Sequence, residues 1–428
     1  MNISPREYAG AGDTLWSCEL ENGLAVRVVP RAGFRKKFAL LAVNYGGAAR
    51  NFTLDGRRVE TPAGVAHFLE HKMFDLPGAN ALDILTQRGA EANAYTGGDM
   101  TAYYFECDER FEENLELLIK FVTTPYFTAE SVAKEQGIIG QEIRMTEDDP
   151  SFVLYSETMR ALFDHHPLRD SVAGTVESIA QISPELLYDC HRAFYVPANM
   201  ALCISGDVDA VSAAETAARL AGTEKSRPAA PDYGEREGLE PVKRRSERRM
   251  DVSEPLFTAA AKLCTDMPRG DAALRLTACG ELAARCLLGA GSPFYTYLYS
   301  EGLLRGNFYR DVSPLAGVLL FECGGSSAEP ERVLERLERE FAAAAEKGIE
   351  PETFERARRA AYGALLRALN DPEGLCSDLA RCCFDGCGYY ESFDLLSSVT
   401  LGDVNGFVRE YLRPERLVFS QILPKERD

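Results

Sequence analysis

His67, Glu70 and His71 stand together in the run Thr61-Pro62-Ala63-Gly64-Val65-Ala66-His67-Phe68-Leu69-Glu70-His71. On a helix, residues four apart share a face, so both imidazoles can turn a ring nitrogen to one point. Two neutral imidazoles so placed suit Zn²⁺, which in catalytic sites takes three protein ligands and leaves a fourth place for water. Glu70 lies beside them, positioned to take a proton from that water without being a ligand. The pattern H-x-x-E-H gathers two of only five His in 428 residues into one short run, which makes chance a poor explanation of it.

A third ligand must come from elsewhere. A helix is predicted from Thr128 to Asp148, with Pro150 beyond its end. Glu135 and Glu142 lie seven residues, about two turns, apart on one face of it. Glu142 is the expected ligand, and Glu135 the carboxylate that braces a ligand or the water. Glu147, in the acidic run Glu147-Asp148-Asp149 at the helix end, suits the role less well.

The elements that must position these residues follow from pattern. Trp16 to Leu20 and Leu24 to Val29 read as a hairpin around Asn22-Gly23, a strong turn signal. Phe38 to Tyr45 continues as a strand. The motif helix is expected to open near Thr61-Pro62, with Pro62 in its first turn. A helix over Ala81 to Arg88, a turn-like stretch Glu91 to Asp99, a strand Met100 to Cys107 and a helix Glu112 to Val122 follow. Ser183 starts a helix to about Phe194, and Met200 to Ser205 is an apolar strand. Low-hydrophobicity sequence, rich in Pro and Gly and closing on Lys243-Arg244-Arg245, then reads as a linker. It divides the chain into domains at 1–225 and 249–428, joined by 226–248. Beyond it, a strand (Pro255 to Leu263), a helix (Asp271 to Leu288), a strand (Val318 to Cys323) and two helices (Pro330 to Glu346, Glu352 to Leu369) repeat the order of the first half. No His falls there, so that half cannot carry a second copy of the site.

The length suggests two to three domains, and 46% hydrophobic with 26% charged residues is ordinary for a soluble globular protein. A net charge of −19 argues against a nucleic-acid backbone as partner. The start shows no apolar signal region and no uncharged run approaches the ~18 residues of a membrane span, so a cytoplasmic protein without a membrane partner is expected. The twelve Cys are scattered as in a reducing compartment. Cys376, Cys382, Cys383 and Cys387 cluster, but without the paired hooks of a structural zinc site, and read as free thiols.

Taken together, the chain resembles the inverted-zincin peptidases of the insulinase, pitrilysin and mitochondrial-processing-peptidase family. The resemblance rests on His67 to His71, on Gly89-Ala90-Glu91-Ala92-Asn93-Ala94-Tyr95-Thr96, and on Glu135 with Glu142. It continues through His166-Pro167, Gly174-Thr175-Val176-Glu177-Ser178-Ile179, Phe194 to Met200 and Gly206-Asp207-Val208. The resemblance implies an α+β fold of two related domains, each a mostly antiparallel sheet covered by helices, and a clam-shell dimer around a chamber. It implies one zinc ion held by His67, His71 and Glu142, with Glu70 as base and Glu135 as essential support. It also implies an endopeptidase for short or unfolded peptides, whose chains pair with the sheet edge at Asn93 and Ala94.

One position departs from the pattern. Active relatives carry, in their second half, an Arg followed about seven residues later by a Tyr that bind substrate and the developing oxyanion; here the Arg position falls on Tyr299. Arg305 and Tyr309 are stand-ins at a different spacing. Short bacterial members often pair a zinc-bearing chain with a paralogue that supplies the missing pair, so either a homodimer or such a heterodimer is expected. The alternative is a non-catalytic, zinc-containing family member that binds peptides or scaffolds a complex.

Overall fold

At Asn22-Gly23 the chain turns as its sequence predicts, with Gly23 at φ 93°, and joins two antiparallel strands of a seven-stranded sheet. The structure is a computed structural model, and it describes residues 3–223 and 225–425. The strands and helices of the first half are β1 (Ser4–Tyr8), β2 (Asp13–Glu19), β3 (Ala25–Pro30), β4 (Lys37–Val43), the small hairpin β5 (Asn51–Leu54) and β6 (Arg57–Glu60), and α1 (Val65–Met73). They continue with the small hairpin β7 (Asp75–Leu76) and β8 (Ala79–Asn80), α2 (Ala81–Gln87), β9 (Glu91–Thr96), β10 (Thr101–Cys107), α3 (Phe111–Thr123), α4 (Ala129–Glu147) and α5 (Pro150–Leu162). Then come α6 (Val176–Ile179), α7 (Pro184–Phe194), β11 (Met200–Gly206) and α8 (Ala210–Leu220). The second half holds β12 (Arg245–Met250), β13 (Leu256–Cys264), α9 (Asp271–Leu288), α10 (Pro293–Ser300), β14 (Tyr309–Leu315), β15 (Val318–Ser326), α11 (Pro330–Lys347) and α12 (Pro351–Ala368). It ends with α13 (Pro372–Asp385), α14 (Glu391–Ser398), α15 (Leu401–Tyr411) and β16 (Val418–Pro424).

The first sheet has the order β1-β2-β3-β11-β4-β10-β9, and the second β12-β16-β13-β15-β14. Within each, one pair is parallel (β3 with β11, β12 with β16) and the other neighbours are antiparallel. Reading from that parallel pair outward, β3-β11-β4-β10-β9 and β12-β16-β13-β15-β14 match strand for strand in direction. The repeat suggested by element order is thus a repeat of topology.

Two compact units result, each of α+β type. The first comprises residues up to Ile143, Ser171–Tyr233 and Leu366–Glu391; the second comprises Arg144–Asp170, Gly234–Leu365 and Ser392 onward. Each unit therefore takes one helix from the other half of the sequence: α13 covers β4 and β11, while α5 covers β13 and β16. Division at 1–225, 226–248 and 249–428 differs from the folded units by these exchanges. The physical reason is visible in β4, where Phe38 to Val43 are all buried. A strand apolar on both faces is covered on both, and its second cover comes from far along the chain. Both covering helices open on an Asp-Pro pair, Asp149-Pro150 and Asp371-Pro372. Pro150 lies beyond the end of α4, as expected, and also sits in the first turn of α5, which Asp149 caps by accepting from Ser151 N at 2.7 Å.

Two further expectations are corrected. Glu91 to Thr96 is a strand, β9, with its turn confined to Gly97-Gly98-Asp99. The polar segment 226–248 is no free linker among its described residues: Asp232 bridges to Asn51, and Arg245 opens β12. In the second unit, Glu237 is buried, accepts from the N–H groups of Asp164, His165 and His166 at 2.7–3.0 Å, and meets the Lys262 ammonium at 3.1 Å. Burial alone would raise its carboxyl, but those donors hold it below the usual range. Removing one partner of such a buried pair typically costs about 3–5 kcal/mol. Glu237→Ala is therefore expected to lower the unfolding free energy by that amount, read by chemical denaturation; a loss below about 1 kcal/mol would show the pair to be dispensable.

Candidate metal centre

The motif helix α1 starts at Val65, three residues after Pro62. Gly64 caps it at φ 97°, and a Cβ there would lie 2.7 Å from the Ala173 carbonyl oxygen. Gly174, at φ 75°, is pressed in turn against Ala63 O, to which the Ser178 hydroxyl donates at 2.7 Å. Two glycines thus let loops remote in sequence clamp the start of α1, and the capping box of Thr175 with Ser178 fixes the clamp. Val65, Ala66, Phe68, Leu69 and Met73 enter the first core. That leaves His67 and His71 partly exposed, at 12% and 26% of their side-chain surface.

In α4, Val132, Ile139 and Ile143 are buried, and Glu135 and Glu142 meet the two histidines. His67 Nε2 lies 3.5 Å from Glu142 Oε1, and His71 Nε2 lies 3.7 Å from Glu142 Oε2. One ligand atom from each of the three residues falls within 4.8 Å of the others. Those separations are long for hydrogen bonds, whereas two ligands of one tetrahedral ion, each about 2.1 Å from it, sit about 3.4 Å apart. The donor set of two imidazoles and a carboxylate is that of catalytic zinc sites. The residues present therefore fit zinc. Among the described residues, this is the one cluster of His, Cys, Asp or Glu with metal-binding geometry. The twelve cysteines are free thiols and form no such cluster.

Glu135 lies outside the cluster and meets His71 at its other ring nitrogen. Its Oε1 is 3.0 Å from His71 Nδ1 and its Oε2 is 3.5 Å from the Lys72 ammonium. With Nδ1–H donated to Glu135, His71 keeps its Nε2 lone pair for a metal. Lys72 is itself buried, and also pairs with Asp75. Burial opposes ionisation of Glu135, but His71 and Lys72 outweigh it and hold the carboxyl below its ordinary value. Glu142 is likewise held low, chiefly by His67. Glu147 lies outside the cluster.

Glu70 is buried, and its Oε2 accepts a hydrogen bond of 2.6 Å from the Thr96 hydroxyl. Burial pushes its carboxyl above the ordinary value, against the pull of Thr96 and the two imidazoles. Thr96 ends β9, the sheet's edge strand, so Glu70 is tied to the strand that carries Asn93 and Ala94. The Ala94 N–H donates to Asn93 Oδ1 at 2.9 Å. Sequence reasoning assigned no role to Thr96 or Lys72; Thr96 ends one matching stretch and Lys72 directly follows another, which was the available signal. Thr96→Val is expected to lower turnover about 10-fold by loosening Glu70, with metal content unchanged, as peptide kinetics beside metal analysis would read.

Arg305 and Tyr309 belong to the second unit, while His67, His71 and Glu142 belong to the first. Arg305 is exposed, 3.9 Å from Glu254, and the Tyr309 hydroxyl is bonded to Thr258 Oγ1 at 2.8 Å. Tyr299 is 75% exposed.

Residues 55–176 match the profile of the family described as Insulinase (Peptidase family M16), and 181–361 that of the Peptidase M16 inactive domain. An uncharacterized zinc protease of Bacillus subtilis, YmfH, is 34% identical over 99% of this chain and 100% of its own length. The crystal structure of a putative M16-like peptidase from Alicyclobacillus acidocaldarius superposes with a TM-score of 0.91 at 31% identity, covering 99% of each chain. Pitrilysin shares the fold at a TM-score of 0.77 and 16% identity, all of this chain covering 47% of that one. Matched from end to end by a relative 34% identical, the chain belongs to the insulinase (M16) peptidase family.

Proposed function

We propose that this chain is a zinc-dependent endopeptidase acting on short or unfolded peptides, with one zinc per chain. The observation that carries this reading is the trio His67, His71 and Glu142 at coordinating separations, with Glu70 buried beside it. Zinc, when bound, supplies Lewis acidity that makes water a nucleophile near neutral pH and polarises the scissile carbonyl. Glu70 takes the proton of the attacking water and hands it to the leaving amine, held for both transfers by Thr96. Lys72 and Glu135 fix His71 in the tautomer that leaves Nε2 free. The edge of β9 at Asn93 and Ala94 takes the substrate main chain as an added strand. No helix of the described residues is long and apolar enough to cross a membrane; a cytoplasmic place remains part of this proposal.

Tyr299, at the position where active relatives carry Arg, favours a two-chain form of the same enzyme. In it this chain holds the metal and a paralogous chain, or a second copy, supplies oxyanion donors; Arg305 and Tyr309 are the donors available in this one. A non-catalytic peptide-binding role is the competing reading of the same substitution. The zinc-loaded chain alone, offered a pool of unstructured peptides with Glu70→Gln as control, separates them. Glu70-dependent cleavage supports the single-chain enzyme. Cleavage that appears only on adding a paralogue supports the two-chain form, and bound zinc without cleavage in either setting overturns the enzyme reading.

A further inference from the structure

In the second unit, a cavity of about 300 Å³ opens between the N-terminal part of α5 and the sheet, lined in part by Tyr155, Thr258, Tyr309 and Glu322. Register places Glu322 opposite Ala260 on one side and Asp311 on the other, so it shares the sheet face that α5 covers with Thr258, Ala260 and Lys262. Two ionisable side chains on one face are treated differently, Lys262 buried and Glu322 half-buried. Lys262 has its counter-ion, Glu237, at 3.1 Å. Glu322 has neither a hydrogen-bond partner nor a cation among the described residues, and burial, with Asp311 beside it, pushes its carboxyl up to about 7. A half-buried carboxylate that faces a cavity without a partner has lost part of its water with nothing from the protein in exchange, so a cation entering the cavity would compensate it. The rings of Tyr155 and Tyr309, exposed by 44% and 46%, stand at the cavity, and such faces attract cations. Tyr309 is held there by Thr258. The repeat supplies a parallel: the topologically equivalent cavity of the first unit, between the start of α13 and β9-β10, is also lined by an aromatic ring and carboxylates, Tyr104 with Glu91, Glu106 and Glu373.

We propose that the α5 cavity is a binding site for a single cationic group, an ammonium or guanidinium, which Glu322 neutralises between the rings of Tyr155 and Tyr309. The two sources of that chemistry are a small free amine and the basic side chain of a peptide. Tyr309 is also one of the oxyanion donors available in this chain, but the test rests on Glu322 and Tyr155 and its readout is binding, so the site stands or falls apart from the peptidase reading.

The test is calorimetric titration of the full chain with n-butylguanidinium and n-butylammonium, with n-butanol as the neutral isostere. Saturable one-to-one binding near 1 mM is expected, about the strength available to a ligand of this size. Glu322→Gln should weaken it about 10-fold or more, as loss of a charge-assisted hydrogen bond does. Tyr155→Leu, at an exposed position, should weaken it about 3-fold. Unchanged thermal melting of both variants would show that the fold survives. A second titration, in the Glu70→Gln chain to prevent turnover, compares an unstructured peptide containing Lys with its norleucine counterpart. Tighter, Glu322-dependent binding of the Lys peptide identifies a side chain as the ligand; equal affinity for the free amine identifies a small amine. Absence of saturable binding, binding indifferent to Glu322→Gln, or equal binding of n-butanol would overturn the site.

Discussion

Glu70→Gln is expected to bind zinc as the parent chain does and to cleave peptides about 10²–10⁴-fold more slowly, the range contributed by a positioned acid–base group. The amide is the same size, can still accept from Thr96, and lies outside the ligand trio, so the metal residues have no reason to move. What disappears is the oxygen that carries a proton from water to the leaving amine. Metal content by mass spectrometry beside turnover on an unstructured peptide reads both halves of the expectation. Cleavage within a few-fold of the parent would remove Glu70 from the mechanism. Loss of zinc would mean that the carboxylate is a ligand after all.

For Glu142→Gln the expectation is reversed: metal retention falls by at least ~10-fold, measured by competition with a chelator, and turnover falls with it. Glu142 spans both imidazoles, with one oxygen toward His67 and the other toward His71. Glu135→Gln makes the informative comparison. Its carboxylate contacts His71 Nδ1 and Lys72, on the side of the ring away from Glu142, so its loss weakens support without removing a ligand. Tighter zinc retention in Glu135→Gln than in Glu142→Gln is the expected order. Retention unaffected by Glu142→Gln would hand the third-ligand role to Glu135, since Glu147 is not within reach of the cluster.

The candidate metal cluster was legible in the sequence because its geometry is local. His67 and His71 are four apart on one helix, Glu135 and Glu142 seven apart on another, and helix periodicity alone aligns each pair. The hairpin at Asn22-Gly23 and the helix Asp271–Leu288 were legible for the same reason, since turn chemistry and apolar periodicity act over neighbouring residues. Tertiary structure decided what depends on residues far apart. It ties Glu70 to Thr96, sets Lys72 against Glu135, presses Gly64 and Gly174 against each other's loops, and exchanges α5 and α13 between units. β4 must cover two apolar faces, and which distant helix does so is a matter of burial, not of local propensity. For the same reason Glu322 looked like any strand carboxylate in the sequence: only the covering α5 half-buries it while supplying no cation.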